Sequence, residues 1–201
     1  QLHEEADYAR EGACLGTFAR LLAEAPDYRV PGFHADLSGP EILAMDYVHG
    51  MPVESLARAA QDERDHVMLL LSKLTLRELF EFRLMQTDPN FANYRYDRAT
   101  GQLILLDFGA TRAFPQTVVD GYRRLFEAAL ADDADAARDA MIALGLFSER
   151  AVERHRKSIE AIIGHGLDLF RREGVFHFGQ VEAANAMRAE DSENVIYLGS
   201  F

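Results

Sequence analysis

Two short stretches of the chain carry side chains whose types and spacing could do chemistry. In MQTDPNFAN, Asp88 is followed five residues later by Asn93, and in LILLDFGATR an apolar run ends at Asp107. The amide oxygen of Asn93 and the carboxylate of Asp107 are ligands of the kind that Mg²⁺ takes together with phosphate oxygens. Asp88 would then be left to accept a proton from an attacking hydroxyl group, or to orient that group.

The segment between the two stretches predicts how these side chains meet. NYRYD and QLILLD flank the turn DRATG, a pattern typical of a hairpin. Because a hairpin returns its ends to neighbouring places, we expect Asp107 to lie beside Asn93. The spacing D-x-x-x-x-N, followed by a strand and Asp-Phe-Gly, is the catalytic pattern of protein kinases. It predicts phosphoryl transfer with ATP and Mg²⁺, which depends mainly on positioning and charge neutralisation.

Each motif also has an ordinary structural explanation. Asp88-Pro89-Asn90 could be a turn with an Asx cap, and Asp107-Phe108-Gly109 could be a strand end followed by a glycine turn. The usual His-Arg before the catalytic Asp is replaced by Gln86-Thr87. What favours phosphoryl transfer is the presence of both motifs at the right separation and in the right structural context.

The elements that must position these residues follow from the apolar periodicity. Short strands are expected in DYRVPGFHADL and EILAMDYV, in addition to the hairpin. The spacing of apolar side chains predicts helices at 2–25, 52–60, 62–85, 115–131, 133–145, 148–173 and 179–189. The order of elements predicts an α+β fold whose helices are segregated toward the C-terminal end.

The stretch EILAMDYVHG could be the hinge between the two lobes of a kinase-like fold. There the carbonyl of Asp46 and the amide of Val48 would meet the adenine edge, and Met45 would guard the pocket. The alternative is a buried edge strand with a polar end. On the first helix, Glu5 could pair with a lysine that holds the nucleotide phosphates. A solvated helix face is the alternative there.

Three stretches, EADY, MQTDPNFAN and LLDFGATR, resemble the UbiB/AarF/ADCK atypical kinases, in particular the coenzyme Q branch. The resemblance runs from Glu4 to about Gly145. It implies a protein-kinase-like fold with a partial N-lobe at 1–48 and a mostly helical C-lobe at 49–201. Because the chain begins with Gln1, we expect a piece of a longer protein, in which the phosphate-holding lysine, the nucleotide loop and a Lys-x-Gly-Gln helix lie upstream.

The same resemblance implies roles for single residues. Glu5 and Asp7 match the Glu-x-Asp pair on the helix that corresponds to αC of kinases. Asp88 matches the acid of the catalytic loop, and Asn93 and Asp107 match the Mg²⁺ ligands. Gly12 stands where the family pattern leads us to expect Ala.

Composition and spacing constrain the partners. A net charge of −12 argues against nucleic acid and against electrostatic attachment to anionic lipid. Only five residues separate Gly109 from Pro115, so there is no room for the long activation segment on which protein kinases hold a peptide. We therefore predict ATP hydrolysis or transfer to a small or lipid-like molecule, and no phosphorylation of proteins in trans. The resemblance implies a role in ubiquinone biosynthesis, with a lipid or quinone precursor and biosynthetic proteins as candidate partners.

The stretch AVERHRKSIEAIIGHGLDLFRREG sets apolar residues among basic ones. Packing on the core is the favoured explanation, and peripheral contact with a membrane is the alternative. A single cysteine, Cys14, excludes an internal disulfide and suits a reducing compartment. With the resemblance, this predicts a bacterial cytoplasm, with contact at the inner membrane as an option, or the mitochondrial matrix side in a eukaryote.

Two rival functions stay open. A pseudokinase scaffold would bind nucleotide or lipid without turnover. A small-molecule kinase of the aminoglycoside or choline type would also lack a long activation segment, but Thr87 and Gly109 speak against it. Such kinases usually carry His before the catalytic Asp and a second acid in place of that glycine.

Overall fold

The computed structural model describes residues 7–88 and 90–171, without the side chains of residues 162, 165, 166 and 168–171. The chain divides into two compact units, the first ending at Phe114 and the second beginning at Pro115. The two units are the parts of the chain that pack mainly within themselves. Their boundary does not test the lobe boundary expected between residues 48 and 49, which stays a prediction.

The first helix, α1, spans Tyr8–Leu21. It begins at Asp7, whose carboxylate accepts a hydrogen bond from the backbone N–H of Arg10 at 3.0 Å and so satisfies one unpaired donor of the first turn. The prediction of a helix over 2–25 extends too far at its C-terminal end, because a turn follows Leu22 before Pro26 is reached. Leu15 and Phe18 are fully buried and attach the helix to the core.

The long helix predicted at 62–85 is confirmed as α2, Gln61–Arg77, which continues into a π-helical turn at Glu78–Phe82. Val67, Leu70 and Leu74 return to one side at helical spacing and are buried. The helix ends at Arg83, whose φ of 54° lies in the left-handed region that stops a helix.

Two small sheets flank the site. Tyr28–Arg29 (β1), Met51–Pro52 (β2), Tyr94–Asp97 (β4) and Gln102–Leu105 (β5) form a sheet in the order β1-β5-β4-β2, with β1 parallel to β5. The predicted hairpin is confirmed as β4 and β5, paired from Tyr94 with Leu105 to Asp97 with Gln102. The second sheet pairs Leu84–Gln86 (β3) with Thr111–Ala113 (β6), antiparallel.

The strand predicted in EILAMDYV is wrong. The chain there makes only isolated bridges, Phe33 with Met45 and Gly39 with Ile42. Side chains take over part of the backbone pairing, because the backbone N–H of Ala44 donates to the hydroxyl of Ser38 at 2.9 Å. The short helix expected at 52–60 is a 3₁₀-helix at Val53–Arg58, and further 3₁₀ turns occur at Ala35–Leu37 and Phe91–Asn93.

The core of the first unit lies between α1, α2 and the β4–β5 hairpin. Its buried members are Leu15, Phe18, Leu22, Tyr28, Val53, Leu56, Val67, Leu70, Leu74, Tyr94, Tyr96, Leu103, Leu105 and Phe108. Phe108 belongs to the Asp-Phe-Gly segment, so the same core that holds the helices also holds the segment that carries Asp107.

The second unit contains the helices α3 (Gln116–Leu130), α4 (Ala134–Ala143), α5 (Glu149–Arg154) and α6 (Arg156–Arg171). The single helix predicted at 148–173 is interrupted at His155, and the helix predicted at 179–189 lies outside the described residues. Ile159, Ile163 and Leu167 are buried in the core of this unit, which supports packing rather than lipid contact for these three side chains. Within the described ranges, no helix has the length and apolar character to cross a bilayer.

Gly12 and Gly16 on α1 offer a matched pair of stability tests. A Cβ at Gly16 would have no neighbour within 4 Å, whereas a Cβ at Gly12 would lie 2.5 Å from the ring of Phe33. We expect Gly16→Ala to stabilise the fold by about 0.5–1 kcal/mol, through helix propensity alone. In Gly12→Ala the displaced ring should offset this gain at a cost of about 1–3 kcal/mol. Urea unfolding measures both variants, and equal stabilisation would contradict the close approach of Phe33.

Candidate active site

The loop after β3 brings Asp88 and Asn93 together. The side-chain nitrogen of Asn93 donates to the carboxylate of Asp88 at 3.1 Å. The turn between them is held by Asn90, whose side-chain oxygen accepts from the backbone N–H of Ala92 at 3.0 Å. Asp88 is exposed, while Asn93 is only 9% exposed. Because its nitrogen is engaged by Asp88, the Asn93 side chain presents its oxygen to any further ligand.

The hairpin delivers Asp107 to the same loop. The backbone N–H of Leu106 donates to the carbonyl of Asn93 at 2.9 Å, one rung beyond the pairing of Tyr94 with Leu105. Asp107 follows directly and is exposed. One carboxylate oxygen of Asp107 accepts from the N–H of Gly109 at 2.9 Å, and no described residue donates to the other.

Phe108 fixes the orientation of this segment. Its side chain is 1% exposed, and its ring centroid lies 5.1 Å from that of Phe18 on α1. A buried aromatic anchor between Asp107 and Gly109 restricts how both neighbours can face. The Asp-Phe-Gly segment is therefore held by the packing of its central residue, while its acid remains at the surface.

A third contact joins the Asp88 loop to the segment after Gly109. Both the backbone N–H and the hydroxyl of Thr87 donate to the carbonyl of Ala110, at 3.1 Å and 2.6 Å. Thr87 stands where protein kinases usually carry Arg. In this chain it links Asp88 to the Asp107 segment by hydrogen bonds instead of by charge.

Sequence reasoning missed Glu11. Its carboxylate accepts from the backbone N–H of Phe108 at 3.5 Å, and a Cβ at Gly109 would lie 3.8 Å from its other oxygen. Arg10, beside it, donates to the carbonyl of Thr111 at 2.6 Å. The signal was present, because Glu11 occupies the same helical stripe as Leu15 and Phe18, where an acid is out of place.

The electrostatics of the site favour a cation. Burial, and then the charge of Asp107, raise the pKa of Glu11, and the hydrogen bond from Phe108 lowers it in part. Burial, and then the charges of Glu78, Asp88 and Asp107, raise the pKa of Tyr94 to about 12. Asp88 and Asp107 are exposed acids of the two adjoining segments, and negative charge of this kind attracts a metal ion.

The predicted hinge residues occupy defined places. Met45 packs against the core, and the side chain of Val48 is buried. The carboxylate of Asp46 accepts from the N–H of Gly32 at 3.1 Å and contacts the ring nitrogen of His34 at 2.8 Å. These hydrogen bonds, that with His34 first, lower the pKa of Asp46. Contact of Met45, Asp46 and Val48 with adenine stays a prediction.

Of the two acids predicted to bind nucleotide at the start of α1, Glu5 and Asp7, the structure describes only Asp7. Asp7 is the N-cap of the helix, a structural role that its side chain performs without any ligand. Glu5 lies outside the described residues. Their predicted role as a Glu-x-Asp pair toward the nucleotide therefore stays a prediction.

The donor set at Asn93 and Asp107 suits magnesium. Among the described residues, no group of three or more His, Cys, Asp or Glu side chains is arranged to hold a metal ion. A nucleotide-bound Mg²⁺ does not need such a group, because phosphate oxygens and waters complete its shell around one or two protein ligands. One amide oxygen and one carboxylate on adjoining strand ends fit that requirement.

The acid-amide loop, the hairpin and the buried Asp-Phe-Gly segment define a kinase-like protein. The ABC1 atypical kinase-like domain matches residues 1–141. Among curated proteins, the chain is 38% identical to atypical kinase COQ8B, mitochondrial, of Rattus norvegicus, over 94% of this chain and 36% of that protein. It is 34% identical to atypical kinase COQ8, mitochondrial, of Saccharomyces cerevisiae, over 72% of this chain and 29% of that protein.

A solved structure shares the fold. The complex of Rv3197 with erythromycin from Mycobacterium tuberculosis matches with a TM-score of 0.62 and 22% identity, over 94% of this chain and 53% of that one. The chain belongs to the ABC1 atypical kinase-like domain family and has a protein-kinase-like fold. It spans about a third of the length of the curated relatives described above.

Proposed function

We propose that the protein of which this chain is part is an atypical kinase or ATPase that uses ATP and Mg²⁺. The observation that carries the proposal is the hydrogen bond from Asn93 to Asp88, with Asp107 delivered to the same loop by the hairpin. This arrangement supplies an acid able to orient a nucleophile beside two oxygen ligands. Similarity to proteins named atypical kinases supports phosphoryl transfer as the reaction class.

Each residue then has a distinct task. Asn93 and Asp107 would hold Mg²⁺, which supplies neutralisation of the charge that develops on the phosphates. Asp88 would orient the attacking group and take its proton. The backbone at Asp46 and Val48 would contact adenine, with Met45 guarding the pocket. Glu5 and Asp7 would contribute to nucleotide binding as the Glu-x-Asp pair at the start of α1.

Glu11 is the described acid of α1 that faces the Asp107 segment. Its contact with Phe108 favours it over Glu5 as the partner for a lysine that holds the phosphates. Such a cation would offset the unfavourable charge of Asp107 on the Glu11 carboxyl.

The acceptor is proposed to be water or a small or lipid-like molecule. β6 begins two residues after Gly109, and α3 begins at Gln116, so the segment between them has no length for a peptide platform. By family resemblance we place the reaction in support of ubiquinone biosynthesis, with a lipid or quinone precursor and biosynthetic proteins as partners. The relatives are named as mitochondrial proteins, which suggests a mitochondrial location for this protein in a eukaryote.

A pseudokinase scaffold is the main alternative. Thr87, in place of the usual Arg, leaves the loop without the cation that protein kinases carry before the catalytic acid. A scaffold with this site would bind ATP in a metal-dependent way and turn none over. The presence of Asp88 beside Asn93 favours chemistry, since nucleotide binding alone does not require that acid.

The test uses the full-length protein with ATP labelled at the γ-phosphate. We expect turnover that requires Mg²⁺ and stops with a chelator, with no stoichiometric label on any protein. Stoichiometric transfer to a protein partner would contradict the proposed acceptor. Metal-dependent ATP binding without turnover, in an otherwise folded preparation, would favour the scaffold.

A further inference from the structure

Glu78 is a buried acid that the proposed reaction does not use. It is the first residue of the π-helical turn after α2 and is 3% exposed. One of its oxygens accepts from the backbone N–H of Gln86 at 3.3 Å, and the other has no partner among the described residues. No described Lys, Arg or His donates to it. A carboxyl group in this setting is costly as an anion, because burial removes its hydration and nothing neutralises its charge.

Two further buried polar side chains lie next to it. Gln86 on β3 and Thr111 on β6 are directly opposite in the antiparallel ladder, so their side chains share one face of the sheet. They are 8% and 2% exposed, and their side-chain polar atoms have no partner among the described residues. Buried polar groups at one place usually form a hydrogen-bonded set. Glu78, Gln86 and Thr111, which we call the buried polar cluster, are joined by the hydrogen bond from the backbone N–H of Gln86 to Glu78 and by the pairing of Gln86 with Thr111, and their remaining side-chain polar atoms have no described partner.

The buried polar cluster lies on the two strands that adjoin Asp88 and the Asp107 segment. Gln86 precedes Asp88 by two residues, and Thr111 follows Asp107 by four. Between them, the carbonyl of Ala110 takes both hydrogen bonds of Thr87. A shift of the end of β3 relative to β6 would therefore displace Asp88 relative to the Asp107 segment.

We propose that Glu78 is a positioning residue, a neutral carboxylic acid that holds the backbone N–H of Gln86 and so fixes the start of the loop that carries Asp88. The inference rests on the proposed phosphoryl transfer for its activity readout only. The neutral form suits this buried setting, since it carries no charge and its second oxygen, which has no described partner, can act as a donor as well as an acceptor.

The pKa of Glu78 agrees with a buried carboxyl group that has no charged partner among the described residues. Burial raises the pKa of Glu78 to about 8 from an ordinary 4.5, and the hydrogen bond from Gln86 lowers it only in part. On neighbouring elements, the charge of Glu78 raises the pKa values of Tyr94 on β4 and of Tyr28 on β1, and Arg77 and Glu81 also act on Tyr28. The native state thus keeps a proton that the unfolded chain has lost. The contribution of Glu78 to stability is therefore full below pH 4.5, falls as the pH rises from there to about 8, and changes no further above that pH.

The test compares Glu78→Gln, Glu78→Leu and Glu81→Gln in the full-length protein. Gln keeps the oxygen for the Gln86 N–H but cannot ionise, whereas Leu removes it. Glu81 is the control, because it lies in the same turn but is exposed and paired with Arg77. We measure unfolding by urea from about pH 5 to about pH 9, the infrared band of a protonated carboxyl at neutral pH, and kcat and KM for ATP turnover.

We expect Glu78→Gln to lose the infrared band, to lack the alkaline decline in stability and to keep kcat within about 3-fold. Glu78→Leu should lower kcat on the order of 10–100-fold with KM for ATP little changed, since the nucleotide contacts remain. Parallel stability curves for wild type and Glu78→Gln would overturn the neutral acid. Unchanged kcat in a folded Glu78→Leu would overturn positioning.

Two further outcomes are also decisive. If Glu78→Leu does not fold, the pH dependence of kcat in the wild type is compared with that in Glu78→Gln. A steeper loss of kcat at alkaline pH in the wild type supports positioning, and superimposable pH profiles of kcat overturn it. If the wild type turns over no ATP, the proposed phosphoryl transfer fails, while the infrared band and the stability curves still test the neutral state of Glu78.

Discussion

Asp107→Asn is expected to weaken metal-dependent binding of ATP by at least about 100-fold, with the fold intact. The substitution removes the negative charge that would hold Mg²⁺ at the end of the hairpin. It keeps an oxygen that can accept from the N–H of Gly109, so the local turn should survive. Calorimetric titration of the full-length protein with ATP, in the presence and absence of Mg²⁺, measures the loss.

The Asp107→Asn experiment needs a control for the loss of one acid. Asp36→Asn serves, because Asp36 is exposed in the 3₁₀ turn Ala35–Leu37, away from the Asp88 loop in sequence. We expect the control to bind ATP as the wild type does and both variants to unfold at the same urea concentration. Equal affinity of Asp107→Asn and Asp36→Asn for Mg²⁺ and ATP would refute Asp107 as a metal ligand.

Asp88→Asn is expected to have the opposite signature. An amide at this position can still accept the hydrogen bond from Asn93, so the loop and the ATP affinity should change little. An amide cannot take a proton, so kcat should fall about 10²–10⁴-fold, the range that a positioned general base contributes. Steady-state turnover at saturating ATP, together with a direct binding measurement, separates the two quantities.

The contrast between the two variants is more informative than either alone. Loss of binding in Asp107→Asn with loss of turnover in Asp88→Asn would assign one residue to the metal and the other to the reacting group. If turnover is unchanged in both, the measured activity comes from a contaminating ATPase, or the protein is a scaffold. Both variants should therefore be purified in parallel with the wild type.

The parts of the fold that were predicted correctly depend on neighbours in sequence. The β4–β5 hairpin follows from alternating side chains on either side of a turn whose Gly101 takes a φ of 74°. The hydrogen bond between Asn93 and Asp88 was not predicted, but it too spans only five residues, a separation that one tight turn closes. The strand expected in EILAMDYV failed for a related reason, since an apolar run does not say whether a partner strand will be in reach. In the structure, Ile42 is 63% exposed.

The sequence by itself determined the D-x-x-x-x-N and Asp-Phe-Gly motifs, the hairpin between them and the long helix, because turn residues and apolar periodicity act over a few residues. The tertiary structure alone decided that Glu11 meets Phe108, 97 residues away, and that Thr87 bonds to Ala110, 23 residues away. It also decided that Glu78 is buried and that, within the part of the chain the structure describes, its hydrogen-bond partner is the backbone N–H of Gln86 and not a cation. Such contacts depend on how distant elements pack, and burial then sets the charge state of an acid, which no local pattern encodes.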